Sequence, residues 1–335
     1  MKKVLGLVLS LSMALALVGC GAAETESTPA PNSNTDTPAE SQAFTLDGPV
    51  NFIIPYATGG SADTVGRLVA QYLGDVIGQK INVINKEGAS GVVGMTELAQ
   101  TKADGYTIGL ASISDLYVAD YRGTFDINSV DYLNWYLSIP FALYASPASP
   151  WNDIGELVAD VKAGNTNIAM AESGTAHIIG LAAMCKTAGI DMISTVSFGS
   201  GGESQTALLG NHVDLASLTP SYYANVTAGG GKLMGVYGTS KLDLFPDLKY
   251  AIDYGLEVPA VVGTNQIIAL PNGCDDQVVQ FWENAMQELL ADAGFQEAMA
   301  TGGYPLCNVS GDELDAAIAE SNASVAEIMA ELGLE

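Results

Sequence analysis

Residues 50–63 read VNFIIPYATGGSAD, and the next turn continues with Thr64, Val65, Gly66, Arg67 and Leu68. A short apolar, β-branched run ends at Pro55, passes two glycines and reaches Ser61 where a helix cap is wanted. Val65, Leu68, Val69, Tyr72, Leu73 and Val76 then recur at helical spacing. The stretch therefore predicts a strand over 50–54 that feeds a helix through a small polar loop. Repeated, that unit builds a parallel sheet with helices on its faces.

The alternation continues on both sides of this anchor. Ile81 to Ile84, Met95 to Ala99 and Tyr106 to Ala111 predict strand, helix and strand. A second series begins near Trp151, with strands expected over 167–170, 193–198, 213–217 and 232–237 and helices between them. Val261 to Leu270 predicts a further strand, and two long amphipathic helices, 275–300 and 312–332, finish the chain. No tandem repeat of fixed period interrupts the pattern. The expectation is an α/β protein of two lobes, each a mainly parallel sheet flanked by helices. Its ligand cleft would lie between the lobes, where strand-to-helix loops converge.

The first twenty residues are of a different kind. Lys2 and Lys3 precede an apolar stretch, Val4 to Leu17, that is short for a bilayer span and fits an export signal over 1–19. Leu17-Val18-Gly19-Cys20 resembles a bacterial lipobox, in which the Cys20 thiol is acylated and becomes the new N-terminus. Residues 20–48 are rich in Ala, Thr, Ser, Pro, Asn and Glu and predict a disordered tether. Together these features predict an extracytoplasmic protein, lipid-anchored to the cell membrane, because two or more acyl chains hold firmly where one does not.

The chain has 335 residues, 48% of them hydrophobic, and a formal charge of −26 with only 12 Lys and Arg. Without Lys2, Lys3 and the five acids of the tether, about −23 stays on the folded part. Nucleic acid is excluded as a partner, because phosphate neutralisation needs clustered cations. An anionic ligand would be repelled at long range and would need strong local dipoles to hold it. Cys274 and Cys307 could pair outside the cytoplasm, and a buried free thiol is the equal alternative for each.

Four loops are placed to supply those dipoles. They are residues 55–63, 112–115, 171–177 and 198–204, each small, polar and following a predicted strand. Glycine permits close backbone approach, and a helix start adds its positive partial charge, so amides alone can hold a carboxylate or phosphate. None of the loops contains Lys or Arg. The candidate ligand-binding residues are Tyr56, Thr58, Gly59, Gly60, Ser61 and Asp63 in the first loop and Ser112 and Ser114 in the second. Ser173, Gly174, Thr175 and His177 are the candidates in the third, with Gly199, Ser200, Gly201 and Gly202 in the fourth. Asp115, Glu172 and Glu203 lie in or beside these loops and would accept from an ammonium or hydroxyl if they reached the cleft. No G-x-S-x-G, G-x-G-x-x-G or Gly-Lys-Ser/Thr phosphate loop occurs, and no Cys or His pair has metal spacing. No catalytic residue, cofactor or metal is expected.

The stretch Phe52 to Gly60 with Asp63 and Arg67 resembles the first strand and loop of the tripartite tricarboxylate transporter receptors, the Bug-type solute-binding proteins. Val83 to Gly91, Ala103 to Thr107, Gly174 to His177 and Leu208 to Asp214 resemble further motifs of that family in the same order. The resemblance implies a type II periplasmic-binding-protein fold with the C-terminal helices in the first lobe. On this chain that gives 49–145 and 261–335 as lobe 1, 146–260 as lobe 2, and two crossing segments as hinge. It also implies a small carboxylate solute held by facing loops and delivery to the permease subunits of a membrane transporter; the receptor itself is expected to be a monomer. Relatives often carry a Lys-Gly-Ser-Gly-like run where this chain has Gly199 to Gly202, which weighs against a tightly held tricarboxylate. A sensory receptor and an exported hydrolase are the alternatives, and the hydrolase would have only His177 and His212 to supply a base.

Overall fold

The computed structural model describes residues 44–237, 247–256, 258 and 263–334; the predicted export signal, Cys20 and the tether up to residue 43 lie outside the described residues. The first sheet is built by β1 (Val50–Ile54), β2 (Ile81–Asn85), β3 (Thr107–Ser112), β4 (Val130–Pro140), β10 (Gly263–Pro271) and β11 (Leu306–Ser310). Its helices are α1 (Ser61–Ile77), α2 (Val92–Ala99), α3 (Ile113–Tyr121), α8 (Asp276–Ala291), α9 (Ala293–Thr301) and α10 (Gly311–Leu332). The second sheet is built by β5 (Ala142–Ala145), β6 (Ala169–Glu172), β7 (Ser194–Ser197), β8 (Leu215–Leu218) and β9 (Lys232–Val236), with α4 (Ile154–Lys162), α5 (Thr175–Ala188), α6 (Gly201–Leu209) and α7 (Tyr223–Ala228). Among the described residues no helix is long and apolar enough to cross a membrane.

The two sheets share one plan. The strand orders are β11-β4-β10-β3-β1-β2 and β7-β6-β8-β5-β9. Each has three parallel strands joined by helices, β1 to β3 in one lobe and β6 to β8 in the other. Beside them each sheet carries an antiparallel strand, β10 or β5. That strand follows the crossing from the other lobe and so enters in the opposite direction. The sheets are accordingly mixed, where sequence pattern favoured a mainly parallel arrangement.

The first crossing lies at Phe141, between β4 and β5. Ala142–Ala145 hydrogen-bonds to β8 and β9, so it belongs to the second sheet and not, as the expected boundary at 145 had it, to the first. The return crossing falls between Leu256 and Gly263, largely outside the described residues. Three further expectations are corrected. β4, β5 and β11 carry no clean alternation and were not foreseen. The helix expected over 275–300 breaks at Asp292, whose side chain accepts from the Phe295 N–H at 2.7 Å and starts α9 as a new cap. Residues 44–48, assigned to the tether, lie on the domain instead: Phe44 stacks edge-on against Phe281 at 5.3 Å, and the Tyr106 hydroxyl donates to Asp47 at 2.5 Å.

Packing fixes where the binding loops stand. Val50, Phe52 and Ile54 face one core with Val65, Val69, Leu73 and Trp282, while Ile53 faces the other, so β1 is buried on both sides. Gly66 lets α1 lie close on β1: a Cβ there would stand 2.4 Å from Ile54 Cδ1. α10 spans both lobes, packing on α3 and on α5, with Lys186 and Glu331 paired at 2.8 Å on the surface.

Candidate functional site

The loop after β1 is held from below by Asp63, which is 3% exposed. Its Oδ2 accepts from the Gly59 N–H at 2.9 Å and from Arg67 Nε at 3.0 Å; its Oδ1 accepts from Asn85 Nδ2 and Arg67 Nη2, each at 2.9 Å. Asn85 Nδ2 also donates to the Tyr56 carbonyl at 2.9 Å. Burial works to raise the Asp63 pKa, but the hydrogen bonds from Arg67, Gly59 and Asn85 and the Arg67 charge outweigh it and hold the carboxyl below its ordinary range. With every oxygen engaged, Asp63 braces the loop and does not line the cleft. Ser61 was expected to cap α1; it is instead the first helical residue, and the cap position is Gly60, with no side chain capping the helix start. The Ser61 N–H and hydroxyl hydrogen-bond the Tyr222 hydroxyl from the other lobe, while Gly60, Ser61 and Ala62 line the cleft at this helix start.

The loops after β3 and β6 meet across the gap. Asp115, 6% exposed, reaches from α3 to the start of α5 in the other lobe. Its Oδ1 accepts from the Ala176 N–H at 2.9 Å and from Thr175 Oγ1 at 3.1 Å, while Oδ2 accepts from the Tyr56 hydroxyl. Burial raises the Asp115 pKa more than these donors lower it, and burial together with the carboxylate pushes the Tyr56 phenol well above its usual value. Glu172 accepts from the Gly174 N–H at 2.7 Å and from the Ser197 hydroxyl, and burial raises its pKa too. His177 is buried, hydrogen-bonds Ser217 Oγ through Nδ1 at 2.8 Å, and borders the cleft; burial lowers its pKa to about 3, so it is neutral. Ser114 turns the other way and accepts from Asn265 Nδ2 at 2.8 Å.

The loop after β7 faces the loop after β1. Ser200 Oγ caps α6 by accepting from the Glu203 N–H at 3.3 Å, and Glu203 Oε2 accepts from the Gly199 N–H at 2.9 Å. The two loops pack tightly: a Cβ on Gly60 would lie 3.2 Å from Ser200 Cβ, and one on Gly202 would lie 3.3 Å from the Gly59 carbonyl oxygen, so a side chain at either position would push its neighbour back. The lobes are therefore closed on each other. Between them a cavity of ≈ 40 Å³ is bounded by Tyr56, Ser112, Asp115, Ser173, His177 and Ser200. A larger one of ≈ 640 Å³ adjoins it, with Glu87, Ser90, Glu172, Gly174, Gly199 and Glu203 on its wall. A third, ≈ 550 Å³, lies under Thr58, Gly59, Phe198, Gly202, Thr206 and His212. No Lys or Arg lines any of these three. Among the described residues no three His, Cys, Asp or Glu side chains group to hold a metal ion.

Of the candidates read from sequence, Tyr56, Thr58, Gly59, Gly60, Ser61, Ser112, Ser173, Gly174, His177 and Gly199 to Gly202 border these cavities, and Thr175 touches Asp115. Asp63 and Ser114 do not. Sequence reading missed Glu87 and Ser90 after β2, Phe141 at the crossing, and Thr264 on β10. The loop after β2 had a signal in Gly88 and Gly91, but its shape depends on Ala89 and Ser90, which take left-handed φ values of 47° and 52° that their side chains do not announce.

Residues 65–334 match the tripartite tricarboxylate transporter family receptor. The chain is 28% identical over 293 residues to a UPF0065 protein of Bordetella pertussis, covering 86% of this chain and 90% of that one. The structure superposes on that of the periplasmic binding protein BugD with a TM-score of 0.77 and 26% identity, over 87% of this chain and 99% of that one. The fold is shared as well by MatC from Rhodopseudomonas palustris with bound malate, at a TM-score of 0.72 and 19% identity, over 84% and 99% of the respective chains. BugD is a periplasmic binding protein, and with a family match that runs from α1 to the C-terminal helix the chain belongs to the tripartite tricarboxylate transporter receptor family.

Proposed function

We propose that this protein captures a small carboxylate-bearing solute between its lobes and delivers it to the membrane permease of a tripartite tricarboxylate-type transporter. The observation that carries the reading is the meeting of two glycine loops from opposite lobes, 58–61 and 199–202, at the uncapped start of α1. With the Gly59 and Gly199 N–H groups held by Asp63 and Glu203, the amides of Gly60, Ser200, Gly201 and Gly202 offer a carboxylate N–H donors and helix dipoles without any cationic side chain. Malate bound to the similarly folded MatC agrees with that chemistry. The receptor works as a monomer, exported by its first 19 residues and held to the cell membrane through acylated Cys20.

A thermal-shift and calorimetry panel of mono-, di- and tricarboxylates tests the solute. A true ligand at a hundred times its dissociation constant stabilises the native state by about 2.7 kcal/mol. Gly60→Val, whose φ of −79° suits any residue, should stay folded and lose the response, because its side chain meets Ser200 before the lobes close. A panel with no stabilising acid, or a response unaffected by Gly60→Val, would remove the reading. Retention of the Cys20→Ser protein in the membrane fraction of cells would remove the anchor.

A further inference from the structure

We propose that the solute is a short zwitterion, an acid that also carries an ammonium group, and that Glu87 and Glu203 from opposite lobes form the seat for its nitrogen. The carboxylate's place, at Gly60 and Ser200 to Gly202, rests on the receptor reading; the nitrogen's place follows from the cavity beside it.

Gly199 shows how near the two acids stand. A Cβ on it would lie 3.3 Å from Glu203 Oε2, 3.5 Å from Glu203 Oε1 and 3.6 Å from Glu87 Oε2. One carboxylate from the loop after β2 and one from the first turn of α6 therefore approach a single point from opposite lobes. Glu203 Oε2 accepts from the Gly199 N–H at 2.9 Å, but its Oε1 and the whole Glu87 carboxylate have no donor among the described residues. Lys86, next to Glu87 in sequence, pairs instead with Glu97 at 3.1 Å. Glu172, 2% exposed, adds a third carboxylate to the same ≈ 640 Å³ cavity, and no Lys, Arg or His lines it. Its oxygens are already taken by the Gly174 N–H and the Ser197 hydroxyl, so the free acceptors are those of Glu87 and Glu203. Like charges gathered across a gap cost free energy until a cation joins them.

Acidic side chains alone would not name a ligand; their position beside an anion seat does. The cavity they border shares Tyr56 and Ser173 with the space lined by Gly60, Ser200 and Gly201, where amides and the starts of α1 and α6 favour a negative group. The cleft is thus polarised, with N–H donors at one end and carboxylates at the other. Gly199 and Ser200 mark the border, and as consecutive residues their Cα atoms are about 3.8 Å apart. A molecule whose two charges lie a few bonds from each other satisfies both ends. A dicarboxylate satisfies the first and brings a second negative charge to Glu87 and Glu203, so repulsion enforces the choice. A plain monoacid leaves those two acids facing each other without a cation. An inorganic cation fits the acidic end less well, because among the described residues no three such side chains group to hold one.

Calorimetry on the full chain should compare acids of one length: alanine and 3-aminopropanoate against propanoate and malonate, and 4-aminobutanoate against butanoate and succinate. In at least one set the amino acid should bind about tenfold or more tightly than both the plain acid and the dicarboxylate. Glu87 is exposed, so its replacement leaves the fold standing. Glu87→Gln should cut the amino acid's advantage about tenfold while the plain acid's affinity holds or rises, and Glu87→Lys should transfer the preference to the dicarboxylate. Glu203→Gln keeps an acceptor for the Gly199 N–H and should act as Glu87→Gln does. A plain acid or dicarboxylate that binds as tightly as its amino counterpart, or a Glu87→Lys protein with unchanged preference, would overturn the nitrogen seat and leave the receptor reading standing. Calcium chloride that gives a binding heat abolished by Glu87→Gln would make the pair a metal seat and overturn it too. No binding by any member of the panel would take down the receptor reading and the nitrogen seat together.

Discussion

The imidazole of His177 lies flat against the ring of Phe141, with centroids 3.6 Å apart and planes at 21°. Phe141 is the residue at which the chain crosses between the sheets, and His177 stands in the first turn of α5 at the cleft. The stack ties the hinge to the binding loop and keeps the imidazole away from water.

That burial gives a pH dependence with a definite sign. The folded pKa of His177 is lowered to about 3, below the unfolded value of about 6.5. Its contribution is therefore fully present above pH 6.5 and is lost as the pH falls from there toward 3, to the extent of about 5 kcal/mol. Asp115 and Glu172 act oppositely: their raised folded values mean that acidification relieves a cost, so each favours the folded state as the pH drops through its own range. His177→Gln can keep a hydrogen bond to Ser217 while removing the titration and the stack on Phe141, and loss of the stack gives a pH-independent offset. Urea unfolding of the two proteins should differ by a constant above pH 6.5 and converge or cross in favour of the variant below pH 5; parallel curves down to pH 4 would show that His177 is not the buried neutral group described.

Asp63 and Arg67 form an ion pair in which the partners are unequal. The Arg67 side chain is 48% exposed and that of Asp63 4%. Arg67→Ala leaves Asp63 with Gly59 and Asn85 and should cost under about 1 kcal/mol. Asp63→Ala orphans the Gly59 N–H and an Asn85 amide hydrogen together and should cost about 2–4 kcal/mol. Because Gly59 is then free to move, solute affinity should fall with Asp63→Ala and stay near the parent's with Arg67→Ala. Equal losses of stability in denaturant titrations would mean the pair acts through its charges and not through the loop.

The thiols offer a simpler check. Cys185, Cys274 and Cys307 are all free, and the last two lie against different carbonyls, Pro271 O at 3.4 Å and Trp135 O at 3.3 Å. Burial pushes the Cys274 thiol up to about 11, with Asp131 adding to it, and Cys307 up to about 12. The thiolate is the reactive form, so by thiolate fraction at pH 8 Cys274 should react with a disulfide reagent on the order of a hundredfold more slowly than free cysteine and Cys307 on the order of a thousandfold. Unfolding without reductant should release all three; a 274–307 pair detected by peptide mapping would contradict this arrangement.

How far this was readable in advance follows from what each element depends on. β1, β6 and β7 with their loops were legible because local chemistry makes them: an apolar run, a proline or glycine, then a helical period. Helix α8 ending at Asp292 was not, since a capping aspartate inside an amphipathic run looks like any solvated acid until the chain turns. β5 is buried along its whole length and β4 only in part, neither shows a clean alternation, and their split between two sheets is a matter of topology that no window of sequence contains. The site divides the same way. Glycines and hydroxyls at helix starts were identified, while the engagement of Asp115 with Thr175 and Ala176, about 60 positions away, depends on how two lobes meet. Asp63 was misplaced for the converse reason: it sits in the right loop, but Asn85 from the neighbouring strand draws it inward.

Gly66 links fold to site and can be tested by a rescue. A Cβ at this position would stand 2.4 Å from Ile54 Cδ1 and 3.3 Å from Leu110 Cδ1, in a core where Ile54 is fully buried. Gly66→Ala gains up to about 1 kcal/mol of helix propensity, yet overpacking costs about 1–3 kcal/mol and lifts α1 off β1. Because α1 begins at the binding loop, the displacement should weaken solute binding as well as stability. Ile54→Val alone removes one methyl group and should cost about 0.5–1.5 kcal/mol. In the double variant the Cδ1 methyl is gone and the tight contacts left, Ile54 Cγ1 at 3.1 Å and Leu110 Cδ1 at 3.3 Å, need only small shifts, so the two losses should not add: the Gly66→Ala cost should shrink, with a coupling of about 1 kcal/mol, and solute affinity should recover in part. Additive losses in a denaturant-titration cycle would mean that α1 does not rest on Ile54, and that the position of Gly59 to Ser61 is set by Asp63 alone.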